Sequence, residues 1–185
     1  MLLGLDTGAD ANWNQDLREY ARLVLPSLEW RSPQGESPHQ ARRSVQLFDV
    51  IQTVDTGKIA RLIDRHAGEL GKRLPVFIEV NVGEESQKAG VSPAELPALI
   101  NVVQNLRSLE LRGLMAIPPW SEDPEMSRPY FRRLAGLLAE VNRALDNPLR
   151  ELSMGMSHDF RVAIQEGSTL VRVGTAIFGK RKTDR

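Results

Sequence analysis

Ser157, Arg172, Gly174 and Thr175 stand close together near the end of the chain, within LSMGMSHDFRVAIQEGSTLVRVGTAIFGK. Their types suit the holding of an anion. A hydroxyl donates to an oxyanion, a glycine lets backbone N–H groups approach it closely, and an arginine supplies positive charge. Ser157 directly follows one short apolar run, residues 151–156, and Gly174 and Thr175 follow another, residues 170–173. Arg172 lies two residues before Gly174, so on an extended strand the two share a side. Each residue alone has a plainer explanation: a helix N-cap for Ser157, a strand kink for Gly174, an ion pair for Arg172. The combination is more specific than any member. In a parallel barrel the loops after the last two strands often build a phosphate site at the C-terminal ends of those strands.

The elements that must position these residues follow from hydrophobic pattern. Residues 50–54, 76–82, 111–117, 151–156 and 170–173 are rich in Val, Ile, Leu and Phe and predict strands. Between them, residues 56–67, 93–106 and 130–145 carry apolar stripes at helical spacing. The second has Ser92 as N-cap and Pro93 at its first position. A short helix over 159–165 is expected to be capped by Ser157 or a neighbour and closed by Gly167. Alternating strands and helices at this spacing predict a parallel sheet with both faces covered, either a barrel or a doubly wound sheet. No GxGxxG follows a strand, which removes the main dinucleotide-fold signal. The first 45 residues are weaker. They suggest a short strand at 1–6, a helix at 14–25 and a strand start at 28–30, stopped by Pro33 and Pro38.

The chain has 185 residues, 41% hydrophobic and 26% charged, which suits one globular domain. Net charge is zero and cysteine is absent. Zero net charge implies no long-range attraction to nucleic acid or an anionic membrane. Trp13, Trp30 and Trp120 show no interleaving with basic residues, so nucleic acid is not an expected partner. The lack of cysteine excludes disulfides and thiolate chemistry, and the expected location is cytoplasmic. No apolar run reaches the length of a membrane span. His39, His66 and His158 have no metal-ligand spacing, so no metal is expected. The Glu84–Glu85 pair reads as a solvated loop.

Residues 152–181 resemble the C-terminal signature of the pyridoxal phosphate homeostasis family, whose members are similar to the barrel domain of alanine racemase. Further matches follow in the family's order: LFDVIQTVD (47–55), VNVGEESQKAG (80–90) and LRGLMAIP (111–118). The resemblance is dense from about residue 45 to 181, and residues 1–45 diverge. It implies a TIM-type (β/α) barrel, one domain over residues 1–185, incomplete at its N-terminus with the first strand missing. It further implies that Ser157, Gly174 and Thr175 bind the cofactor phosphate and that Arg172 faces the pyridine nitrogen. An arginine there keeps that nitrogen unprotonated and weakens the ring as an electron sink. Asn81 would line the pocket. Glu85 and Lys88 fall in a family motif, where the residues themselves suggest loop ion pairing.

The chain departs from the family at its start. The family holds the cofactor aldehyde as a Schiff base on a lysine at the end of the first strand. Here the lysines are Lys58, Lys72, Lys88, Lys180 and Lys182, and none follows an early strand. The second-strand motif is missing, with Leu5-Asp6-Thr7-Gly8 in its place, and the third reads Trp30-Arg31-Ser32-Pro33-Gln34. We read this as a divergent paralogue without covalent attachment; a first strand encoded upstream is the alternative. A missing strand would leave open sheet edges, to be covered by the N-terminal segment, a partner chain or self-association. The expected function is non-catalytic binding of pyridoxal 5'-phosphate in its homeostasis. The alternatives are a cofactor-free interaction module with a vestigial site and a racemase-like enzyme.

Overall fold

The computed structural model describes residues 38–178. The strands and helix expected within the first 30 residues, the motifs around Leu5 and Trp30, and Lys180 and Lys182 lie outside the described residues. The order is α1 (Pro38–Leu47), β1 (Ile51–Val54), α2 (Gly57–Glu69), β2 (Leu74–Glu79), α3 (Leu96–Gln104) and β3 (Leu109–Met115). A single 3-10 turn (Pro124–Ser127) then leads into α4 (Arg128–Asn142), β4 (Glu151–Met156), α5 (Phe160–Gln165), β5 (Leu170–Arg172) and α6 (Thr175–Phe178). All five predicted strands are present and pair in parallel in the order β1-β2-β3-β4-β5. The second and third begin two residues earlier than their apolar runs suggest. The chain leaves β2 at Val80, whose N–H still donates to Met115 O of β3 at 2.8 Å and which bridges to Val91.

The helices form for local reasons. The Thr56 hydroxyl accepts from Ile59 N at 3.3 Å and caps α2, whose buried residues Ala60, Ile63 and Ala67 repeat at helical spacing. The expected start of α3 needs correction. Ser92 does accept from Glu95 N, at 3.3 Å, and its hydroxyl donates to the Glu95 carboxylate at 2.6 Å. Residues 93–95 nevertheless form only a turn, and the helix proper opens at Leu96. Pro97 has no N–H to extend the ladder begun by Leu96 N on Ser92 O. Helix α1 was not expected from the sequence, where Pro38 read as a breaker. It is instead the first helical residue, and Ala41 and Val45 are fully buried.

The sheet separates two environments. Leu74, Val76, Ile78, Leu114, Leu152 and Met154 join Phe131, Leu134, Ile63 and Ile100 from the helices in one apolar core. The alternating strand residues Phe77, Glu79 and Ser153 are buried on the opposite face. That face is concave. Ser153 Oγ in β4 lies 2.8 Å from Gln52 Oε1 in β1, although two strands separate them. Neighbouring strands sit about 4.8 Å apart, so in a flat sheet these side chains would stay roughly 14 Å apart. The sheet therefore curls, as the wall of a half-barrel with its helices outside.

Candidate functional site

Strands β4 and β5 pair with Met156 opposite Arg172, so their C-terminal ends are adjacent. Ser157 leaves the first end, and Gly174 and Thr175 leave the second. The structure brings these together through one atom. Ser157 Oγ accepts from Gly174 N at 3.0 Å and from Ala176 N at 3.2 Å. Of the caps expected for α5, Ser157 or a neighbour, it is the neighbour Asp159 that stands at the N-cap. That helix opens after Asp159, and the Ser157 hydroxyl caps the turn after β5 instead. Gly174 and Thr175 are exposed and Ser157 half-buried. A Cβ at Gly174 would find no protein atom within 4 Å, so the space beside these donors is open.

Arg172 reaches back along the concave face. Its Nη1 donates to Ser153 O at 2.9 Å and to Ser153 Oγ at 2.5 Å, and its Nη2 donates to Ala116 O at 3.0 Å. The guanidinium thus ties the ends of β3, β4 and β5 together just below the Ser157 cluster. Asn81 stands apart from this cluster in its hydrogen bonding. Its amide donates to Glu85 O at 2.8 Å and accepts from Glu85 N at 3.2 Å, which closes the loop after β2. In the same loop Lys88 Nζ pairs with Glu85 Oε1 at 2.6 Å, and Arg133 of α4 donates to Val82 O and to the Glu84 carboxylate.

Sequence reasoning missed the residues that support the site. The Asp159 carboxylate is buried; it accepts from Met156 N at 2.7 Å and from Ser127 Oγ at 3.0 Å. Because Asp159 N also donates to Met156 O at 3.1 Å, the turn carrying Ser157 is clasped on both sides. An Asp two residues past a candidate phosphate serine was the available signal. Gln52 and Ser153 were missed because each is an isolated polar residue in an apolar run. Glu166, at the end of α5, accepts from Arg128 at 2.6 Å and from Arg132 at 2.8 Å. Arg132 first, then Arg128, holds its carboxyl below the ordinary carboxylate value.

Among the described residues no group of three or more His, Cys, Asp or Glu could hold a metal ion. Among them also, no helix is long and apolar enough to cross a membrane. His158 is exposed, and the His39 side chain lies outside the described residues.

The donor set suits a phosphate: one hydroxyl, two converging backbone N–H groups, a second hydroxyl on Thr175, and open space in front. Comparison with known proteins identifies the family. The family described as alanine racemase, N-terminal domain, matches residues 19–182. The pyridoxal phosphate homeostasis protein of Aquifex aeolicus is 39% identical over 179 residues, covering 97% of this chain and 78% of that protein. PipY of Synechococcus elongatus, solved with pyridoxal phosphate bound, is 34% identical with a TM-score of 0.73, over 90% of this chain and 78% of PipY. D-threonine aldolase of Filomicrobium marinum, at 17% identity and TM-score 0.64 over 78% of this chain and 42% of the enzyme, shares the fold alone. With matches of this extent, the chain belongs to the alanine racemase N-terminal domain family, in its pyridoxal phosphate homeostasis branch.

Proposed function

We propose that this chain binds pyridoxal 5'-phosphate non-covalently by its phosphate end and serves cytoplasmic homeostasis of that cofactor, as a carrier or buffer, without catalysing a reaction. The observation that carries this reading is the meeting of the Gly174 and Ala176 amides on Ser157 Oγ at the open rim of β4 and β5. Its support from relatives is PipY with its bound pyridoxal phosphate.

In this reading the Ser157 and Thr175 hydroxyls donate to phosphate oxygens, and the Gly174 and Ala176 amides, which in this structure donate to Ser157 Oγ, orient that hydroxyl and add positive field beside it. Arg172, fixed on two carbonyls and a hydroxyl, presents positive charge to the pyridine nitrogen and keeps it unprotonated. Asn81 lines the pocket from the loop after β2. Bound pyridoxal phosphate supplies an aldehyde on an electron-poor ring. The described lysines fit non-covalent holding. Lys72 is bound to the Val45 carbonyl at 2.9 Å, Lys88 is paired with Glu85, and Lys58 is exposed on the first turn of α2.

Titration of the purified chain with pyridoxal phosphate, followed by absorbance and tryptophan fluorescence, tests the proposal. Saturable binding is expected. Ser157→Ala and Arg172→Ala should each weaken it about tenfold or more, as for lost hydrogen bonds to a charged group. Borohydride reduction followed by peptide mass spectrometry should find no cofactor on a lysine. Absence of saturation would sink the binding role. Amino-acid racemisation that survives purification would overturn the non-catalytic part.

A further inference from the structure

The concave face holds a hydrogen-bonded chain whose far member, Gln52, has no part in the binding role above. Ser153 is fully buried and Gln52 is 6% exposed. Ser153 Oγ donates to Gln52 Oε1 at 2.8 Å and accepts from Arg172 Nη1 at 2.5 Å. A serine hydroxyl has one proton and two lone pairs. The amide oxygen of Gln52 can only accept, so the Ser153 proton points to it, and the lone pairs are left for the arginine. The three residues come from β1, β4 and β5, so the chain spans the half-barrel. Buried polar groups of this kind are costly unless fully paired, which makes their mutual orientation sharp.

We propose that Gln52 is a positioning residue for Arg172: by taking the Ser153 proton it orients the hydroxyl that anchors the guanidinium at the ring end of the cofactor site. The proposal rests on the pyridoxal phosphate reading. It distinguishes the ring end, governed from β1, from the phosphate end, governed by Ser157. Without an acceptor at position 52 the Ser153 hydroxyl is free to turn its proton elsewhere, and the hydroxyl anchor of Arg172 is weakened while its contacts to the Ser153 and Ala116 carbonyls stay.

The test compares Gln52→Met, Gln52→Glu, Ser157→Ala, Arg172→Ala and the double variant Gln52→Met/Arg172→Ala in the full chain. The probes are pyridoxal phosphate and inorganic phosphate, with melting temperature as the check on folding. Gln52→Met should weaken pyridoxal phosphate binding about threefold to tenfold, the scale of one hydrogen bond, and leave phosphate affinity unchanged. It should add nothing in the Arg172→Ala background. Gln52→Glu keeps an acceptor and should restore binding. Its negative charge near Arg172 should move the pH titration of the bound chromophore to higher pH, which a purely structural role would not do.

Wild-type affinity in Gln52→Met would overturn the proposal, as would equal weakening toward both probes or full additivity with Arg172→Ala. A wild-type chain that does not saturate with pyridoxal phosphate would sink the underlying reading and this proposal together. Weakening by Ser157→Ala with Gln52→Met neutral would sink this proposal alone.

Discussion

At the scale of single residues, Ser157, Gly174 and Thr175 were legible because they are close in sequence and of types that suit an anion. Their supports were not. Asp159 meets Ser127 across 32 residues of sequence, and Ser153 meets Gln52 across 101. Hydrogen bonds of that reach depend on where the backbone folds, and no local pattern carries them. Asp159→Ala should leave Met156 N and the Ser127 hydroxyl without their acceptor, at a cost of about 1–3 kcal/mol in chemical denaturation. It should also weaken cofactor binding by loosening the turn around Ser157; unchanged binding would show the turn holds itself. Gly155 has φ +91°, and a Cβ there would lie 2.6 Å from Ala163 Cβ and 2.9 Å from Phe160 Cα. Gly155→Ala should therefore destabilise the chain by about 1–3 kcal/mol, because α5 cannot move aside without leaving the sheet.

At the scale of elements, helices α4 and α5 are locked by charge as well as by packing. Glu166 takes Arg128 and Arg132, while Arg128 also binds Glu125 at 2.7 Å and Gln165 at 2.7 Å. This clamp holds the helix that links β4 to β5, and so holds Ser157 against Gly174. The folded-state value of the Glu166 carboxyl is depressed by Arg132 and Arg128. Its stabilising effect is therefore complete above the unfolded carboxylate value of about 4.3 and is lost as pH falls through the lower folded value. The stability gap between wild type and Glu166→Gln should be constant from pH 7 to 5 and narrow as pH falls below about 4.3. Denaturant melts across this range measure it; a gap that widens or stays unchanged all the way into acid would refute the clamp's electrostatic role. The elements themselves were readable from apolar periodicity, apart from α1, the 3-10 turn and α6. In α1 the proline that suggested a break is the helix's first residue, and what stabilises the helix is burial of Ala41 and Val45, which requires the rest of the fold.

At the scale of the whole molecule, the apolar core lies between the sheet and its helices, and the concave face carries the polar chain to Arg172. Leu134 of α4 is fully buried in that core, while Trp120, after β3, is 77% exposed. Leu134→Ala should cost about 2–5 kcal/mol by cavity formation. Trp120→Ala should stay within about 0.5 kcal/mol, as for surface substitutions. Equal effects would contradict this placement of the core. The sequence by itself determined the alternation of strands and helices, the parallel sheet and the anion-binding residue types, because these follow from local periodicity and short spacing. Only the tertiary structure decided that Ser157 caps the turn after β5 and not α5. It also decided that Arg172 is anchored on Ser153 and Ala116, and that Gln52 reaches that anchor. The last of these contacts exists because the sheet curls, and curvature is set by the packing of all its strands and helices together.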